Sequence, residues 1–286
     1  MRAENPDRAR QDVGNIVMLE HVNVTVPRQD LATQFYVVGL GLTRDPYLMV
    51  GLENMWINVG QQQFHLPTSG PQVMRGTVGL VIPELDRLPA RLAEAAAPLE
   101  GTRFAFGEED DAVVATCPWG NRIRCHAPGP RFEDMRLGMA YVEFDVERGC
   151  ADGIARFYQQ VMGAPSRVES AADGDVAHVR VGRGQELVFR EVDGPLADYD
   201  GHHVAIYISD FSAPYRRLGE MDLVSRENGD YEYRFVDISD PATGKALFRI
   251  EHEVRSLTHP IYHRPLINRN PEQRQRTYSR GRDAFA

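Results

Sequence analysis

Two stretches of this 286-residue chain open in the same way: "HVNVTV" begins at His21 and "HVAIYI" at His203, each a His-Val pair running into alternating apolar residues. An imidazole titrates near neutral pH, so a histidine placed twice at one point of a pattern can move protons or lend a nitrogen to a metal ion. A third histidine, His65, stands in "QFHLP". Strand alternation turns His202 and His252 away from their neighbours His203, Glu251 and Glu253, while His259 and His263 belong to the tail and are expected to be solvated or packing residues. Cys117, Cys125 and Cys150 form an odd set without C-x-x-C spacing, which argues for buried thiols and against a disulfide framework or a zinc ribbon. Glycine runs such as "VGRGQ" are not followed by a helix start and so do not make a phosphate-binding loop.

The elements that position these residues recur. "HVNVTV" leads into a helical stretch, "RQDLATQFYVVGLGL", in which Leu31, Phe35 and Val38 share a face, and then into the strands "MWINVG" and "QQQFHLP". A second copy starts at "GTVGLVIPELDRLPARLAEA" and closes on "AVVATCPWGNRIRCHAP" around a Pro-Trp-Gly-Asn turn. In the third, "ARFYQQVMGA" echoes "TQFYVVGLGL" of the first; the fourth runs from "HHVAIYISDFSAPYRRLGEMDL" through "YEYRFVDIS" to "ALFRIEHEV". Self-similarity at this spacing dictates the architecture. The expected division is an unordered lead-in (1–16), a first domain of modules one and two (17–131), a second domain of modules three and four (132–258) and a basic C-terminal arm (259–286).

Four strand-helix-strand-strand-strand modules, with "QFY…GLGL" after the first helix and a Pro-x-Gly turn before a last strand, resemble the vicinal oxygen chelate superfamily, the group of glyoxalase I, bleomycin-resistance proteins and type I extradiol dioxygenases. The resemblance runs from about Val17 to Arg255. It implies an α+β fold of four βαβββ modules pairing into two cup-shaped barrels. By resemblance, the first-strand ligand maps onto His21 and His203, whereas modules two and three offer Thr77 and Tyr141. The last-strand ligand maps onto Glu251 in "FRIEHE", with Glu253 on the same strand face as the substitute, while module two reads "NRIRCH" with Arg124 at that point. His65 is implied as a fourth ligand or an acid-base group, and Tyr233 is a candidate phenol for substrate or oxygen. A complete site then requires module one to pair with module four, or a dimer to exchange halves.

The resemblance implies a divalent-metal enzyme in which His21, His203 and Glu251 hold the ion. Fe(II) is the first expectation, with Mn(II), Zn(II), Ni(II) or Co(II) compatible with the same donors. The activity implied is an oxygenase or dioxygenase acting on a small oxygen-chelating substrate. A glyoxalase-type lyase or isomerase, and a metal-free ligand-binding protein of the resistance type, are the alternatives. A net charge of −9 argues against a nucleic-acid partner, although Arg264, Arg269, Arg274, Arg276, Arg280 and Arg282 gather near the end of the chain, where an arm lying on the body or on a neighbouring subunit is expected. No apolar run reaches the ~20 residues of a membrane span. A cytoplasmic protein with a small-molecule substrate, and a homodimer among its expected assemblies, is the resulting picture.

Overall fold

The computed structural model describes residues 8–48 and 53–268. Each module contributes four strands and one helix. Module one has β1 (Ile16–Asn23), α1 (Gln29–Ala32, continued by a π-helical turn over Thr33–Gly39), β2 (Thr43–Arg44), β3 (Asn54–Val59) and β4 (Gln62–Pro67). Module two has β5 (Gly76–Val81), α2 (Leu88–Glu94), β6 (Ala105–Glu109), β7 (Ala112–Thr116) and β8 (Arg122–His126). Module three has β9 (Gly138–Glu147), α3 (Ala151–Phe157, continued by a π-helical turn over Tyr158–Met162), β10 (Ser166–Glu169), β11 (Val176–Gly182) and β12 (Gln185–Val192). Module four has β13 (His203–Ile208), α4 (Ser212–Glu220), β14 (Val224–Glu227), β15 (Glu232–Ser239) and β16 (Ala246–Ser256).

In every module the last strand folds back to lie parallel to the first: β4 beside β1, β8 beside β5, β12 beside β9 and β16 beside β13. The first strands then join modules antiparallel, β1 to β13 and β5 to β9. Module one therefore shares an eight-stranded sheet with module four, and module two shares the other with module three. Each sheet draws one module from each half of the chain. The sheets remain open rather than closing into barrels, because each ends on a short strand without an outer neighbour, β2 and β14 in one sheet and β10 and β6 in the other.

Strand alternation gives each sheet two unlike faces. On β13, Val204, Ile206 and Ile208 belong to the main apolar core with Phe35, Phe157 and Leu218 of the helical segments, while Tyr207 turns to the opposite face and meets Arg255. The helices lie between the sheets: α3 touches β11 and β12 of its own sheet and β15 and β16 of the other. The three cysteines are free and buried, and among the described residues no helix is long and apolar enough to cross a membrane.

His252 belongs to this inner layer. Its ring stacks on Phe235 at 4.3 Å, its Nδ1 donates to the Ile250 carbonyl at 3.0 Å, and its Nε2 accepts the Tyr158 hydroxyl at 2.7 Å. Burial, together with the charge of nearby His203, pushes it down from 6.5 to about 4. Because the folded value lies below the unfolded one, the unfolded chain takes the proton first. Its contribution is intact above about pH 6.5 and is lost as the pH falls toward 4. His252→Gln is expected to remove about 2 kcal/mol of the stability difference between pH 7.5 and pH 5. Urea denaturation at both pH values checks this; an unchanged difference would contradict it.

Candidate metal centre

The junction of β1 and β13 sets the histidines face to face. Register pairs His21 with Ala205 and Asn23 with His203, so the two imidazoles stand diagonally across the junction, and the small Ala205 opposite His21 leaves room between them. Their Nε2 atoms are 3.4 Å apart. A bulge between Leu19 and His21 brings Glu20 round to the same ring, where its carboxylate contacts Nδ1 of His21. With the Nδ1 proton held by that carboxylate, Nε2 of His21 presents its lone pair toward His203.

The last strands complete the arrangement. On β4 the parallel register sets Gln63 beside His21 and His65 two residues on; on β16 it sets Glu251 beside His203 and Glu253 two residues on. His65 and Glu253 are thus equivalent positions of the two modules. The donor atoms of His21, His65 and His203 all lie within 4.8 Å of one another. The Glu253 carboxylate is 3.4 Å from Nε2 of His203, whereas Glu251 sits 3.5 Å from its Nδ1. Glu251, expected as the carboxylate ligand, lies on the far side of the ring from His21, and Glu253 occupies the near side.

His65 stacks on Trp56 at 3.8 Å, and its Nε2 is 2.7 Å from Asn54 Oδ1, an acceptor that keeps the proton on Nε2 and the lone pair on Nδ1. Burial and the neighbouring imidazoles His21 and His203 push it down to about 2. It is a neutral nitrogen donor at any physiological pH. Burial also lowers His203, against the opposing effect of Glu253. Burial by itself would raise the Glu253 carboxyl, but the hydrogen bond to His203 and the charges of His21, Arg255 and Arg234 outweigh it and hold the group well below the usual carboxylate range.

Two arginines, unremarked in the sequence, hold this charge. Arg255 is buried between Glu253, which its guanidinium contacts directly, and Glu20 at 3.2 Å. Arg234, paired with Glu253 across β15 and β16, also donates to Glu251 at 2.6 Å. Glu20 precedes His21, and Arg255 follows Glu253 by two on the same strand face, so adjacency and alternation are the signals that would have found them. Tyr233, expected near the site, points the other way. Being one residue from Arg234 on β15, it faces α4, where its ring meets Phe211 and Tyr215 and its hydroxyl lies 3.5 Å from the Phe211 carbonyl.

The start of the C-terminal arm is tied to module one. Arg264 reaches the buried Asp45 at 2.7 Å, Asn58 donates to the Ile267 carbonyl at 3.0 Å, and Asn268 donates to the Gly60 carbonyl at 2.7 Å. Arg269, Arg274, Arg276, Arg280 and Arg282 lie outside the described residues.

No protein-family model matches the sequence, and no curated protein matches it. The fold does have solved counterparts. Glyoxalase I from Zea mays superposes with a TM-score of 0.61 at 15% identity, over 83% of this chain and 92% of that one. A protein described as a "putative dioxygenase" from Bacillus subtilis gives 0.58 at 13% identity, over 87% of each chain. The chain has the vicinal oxygen chelate fold. A vicinal oxygen chelate fold supplies the frame, and whether the side chains suit a metal is decided by their chemistry. Two nitrogens bonded to one ion at about 2.1 Å stand roughly 3.0 Å apart at a right angle and roughly 3.4 Å apart at the tetrahedral angle. The 3.4 Å between His21 and His203 falls within that range. Buried imidazoles beside a carboxylate held well below its usual range are a fitting donor set for a divalent cation.

Proposed function

We propose that this chain is a divalent-metal oxygenase, with Fe(II) as the ion, acting on a small substrate that binds through neighbouring oxygens. The observation that carries the reading is the convergence of His21 Nε2, His203 Nε2 and the Glu253 carboxylate, two imidazoles and one carboxylate rising from one face of one sheet. This is the donor combination of non-haem iron oxygenases. When bound, the ion supplies Lewis acidity toward substrate oxygens and, as iron, a path for electrons to dioxygen. The chain's own residues do the rest. Glu20 orients His21 through Nδ1, Glu251 flanks Nδ1 of His203, and Arg255 and Arg234 keep Glu253 ionised.

His65 favours a second reading. Its equivalence to Glu253 and its persistently neutral ring suit a fourth donor better than a proton carrier at pH 7. Four protein donors suit redox-neutral lyase or isomerase chemistry, in which the substrate is deprotonated and reprotonated without oxygen. An oxygen electrode separates the two. With Fe(II)-loaded protein and a panel of catechols, vicinal diols and α-hydroxy ketones, the oxygenase reading expects substrate-dependent oxygen uptake. Substrate conversion with Ni(II) or Zn(II) and without oxygen uptake would replace it by the lyase.

A further inference from the structure

The second sheet repeats the geometry of the first with different chemistry. Thr77 on β5 and Tyr141 on β9 stand where β1 and β13 carry His21 and His203, since Thr77 pairs with Glu143 and Gly79 with Tyr141 as His21 pairs with Ala205 and Asn23 with His203. On the last strands, Thr77 lies beside Arg122 and Tyr141 beside Glu186, so Arg124 and Val188 take the places of His65 and Glu253. The imidazoles and the carboxylate are gone. A guanidinium, a phenol and two small side chains replace them, and Gly79 is required because a Cβ there would lie 2.1 Å from the Tyr141 ring.

This face holds a cavity of about 570 Å³, within the range of small-molecule sites. Arg122, Arg124, Arg131, Arg167, Arg180 and Arg190 line it, against the three carboxylates Glu133, Glu143 and Glu186. A lining in which arginines outnumber acids two to one, in a chain of net charge −9, is a local reversal of sign. Several of the pairings are weak anchors. Arg122 and Arg124 share Glu109, whose side chain is 46% exposed, and Arg124 also reaches Asp110, which is 88% exposed. Exposed pairs of this kind contribute little and exchange readily for a better acceptor. Arg131 lies over the rings of Phe132 and Tyr141, 5.2 Å and 6.0 Å from their centroids, and makes no ion pair among the described residues. The Tyr141 hydroxyl is 3.0 Å from Nε2 of His126 and stays protonated, burial pushing it up to about 12.

We propose that this second cup is a binding site for a small multivalent oxyanion, a phosphate ester or a polycarboxylate, held by Arg124 and Arg131. Planar guanidinium forks match the paired oxygens of phosphate and carboxylate alike. Concavity restricts the ligand to a small molecule, and the absence of metal donors at the equivalent positions makes the site independent of the metal centre.

Isothermal titration with two probes, pyrophosphate and citrate, tests the site and distinguishes the two chemistries. The expected result is one equivalent bound per chain, tighter for pyrophosphate if the ligand is a phosphate ester and tighter for citrate if it is a polycarboxylate. Affinity is expected to fall by about tenfold or more in Arg131→Ala and in Arg124→Gln. It is expected to be unchanged in Arg28→Ala, an exposed arginine at the start of α1 in module one, and in His203→Ala. For a readout that needs no folded variant, either probe should protect the wild-type cup arginines from phenylglyoxal modification. Absence of binding by both probes, equal binding in both cup variants, or loss of binding in His203→Ala would overturn the proposal.

Discussion

His203→Ala is expected to lower divalent-metal affinity by more than about 100-fold, the upper end of what loss of an outer partner of a metal ligand brings. His203 is the hub of the site: its Nε2 lies 3.4 Å from both Nε2 of His21 and the Glu253 carboxylate. Removing it takes away one donor and separates the other two. The two glutamates of β16 should then behave differently. Glu253→Gln is expected to weaken metal binding nearly as much, because it removes the anionic donor at Nε2. Glu251→Gln is expected to lower affinity by no more than about tenfold, since Glu251 only flanks Nδ1 and spends one oxygen on Arg234. Titration of metal-free protein with Mn(II) and Zn(II), each variant beside wild type, measures all three. Equal losses in the Glu251 and Glu253 variants would contradict the assignment of Glu253.

Arg255→Met is expected to destabilise the metal-free protein by about 3–5 kcal/mol at neutral pH. The guanidinium is buried between Glu20 and Glu253, its side chain 7% exposed against 7% and 3% for theirs. Methionine fills similar space but leaves two carboxylates close together with less compensating charge, and burial already acts to raise both. The sign of the pH effect follows. The deficit is full above the ordinary carboxylate range and shrinks as the pH falls below it, so wild type and variant converge only where Glu20 and Glu253 of the wild type, both held below that range, take up protons. A divalent cation at His21 and His203 restores positive charge beside Glu253, so metal is expected to raise the melting temperature of the variant more than that of wild type. Urea denaturation across pH, and thermal scans with and without Zn(II), check both statements. A loss under about 1 kcal/mol would show that Glu20 and Glu253 do not depend on Arg255.

The repeat made most of the fold legible. Four strand-helix-strand-strand-strand units could be read from His-Val openings, helical faces and turn residues, and the demand that His21 and His203 meet pointed to modules one and four sharing a sheet, which the β1–β13 pairing provides. Finer placement rested on quantities a sequence does not carry. The long hairpin between β15 and β16 leaves the register of "FRIEHE" open by two residues, a shift that keeps the face and changes which glutamate reaches Nε2. Tyr233 shows the opposite sensitivity: a shift of one residue changes the face, and it is Arg234, not Tyr233, that pairs across the sheet with Glu253. Glu20 reaches His21 only because a bulge interrupts the alternation of β1, and nothing in "MLEHVNV" announces that bulge. The π-helical turns at "TQFYVVG" and "YQQVM" are of the same kind, visible as a shared motif but not as a departure from α-helical geometry.

The most direct test of the metal centre is electron paramagnetic resonance of anaerobically Fe(II)-loaded protein exposed to nitric oxide, wild type beside His203→Ala. One high-spin iron-nitrosyl signal per chain is expected in wild type, and its loss in the variant. Iron bound without such a signal in wild type, or a signal of full intensity in His203→Ala, would contradict an open site built on His21, His203 and Glu253.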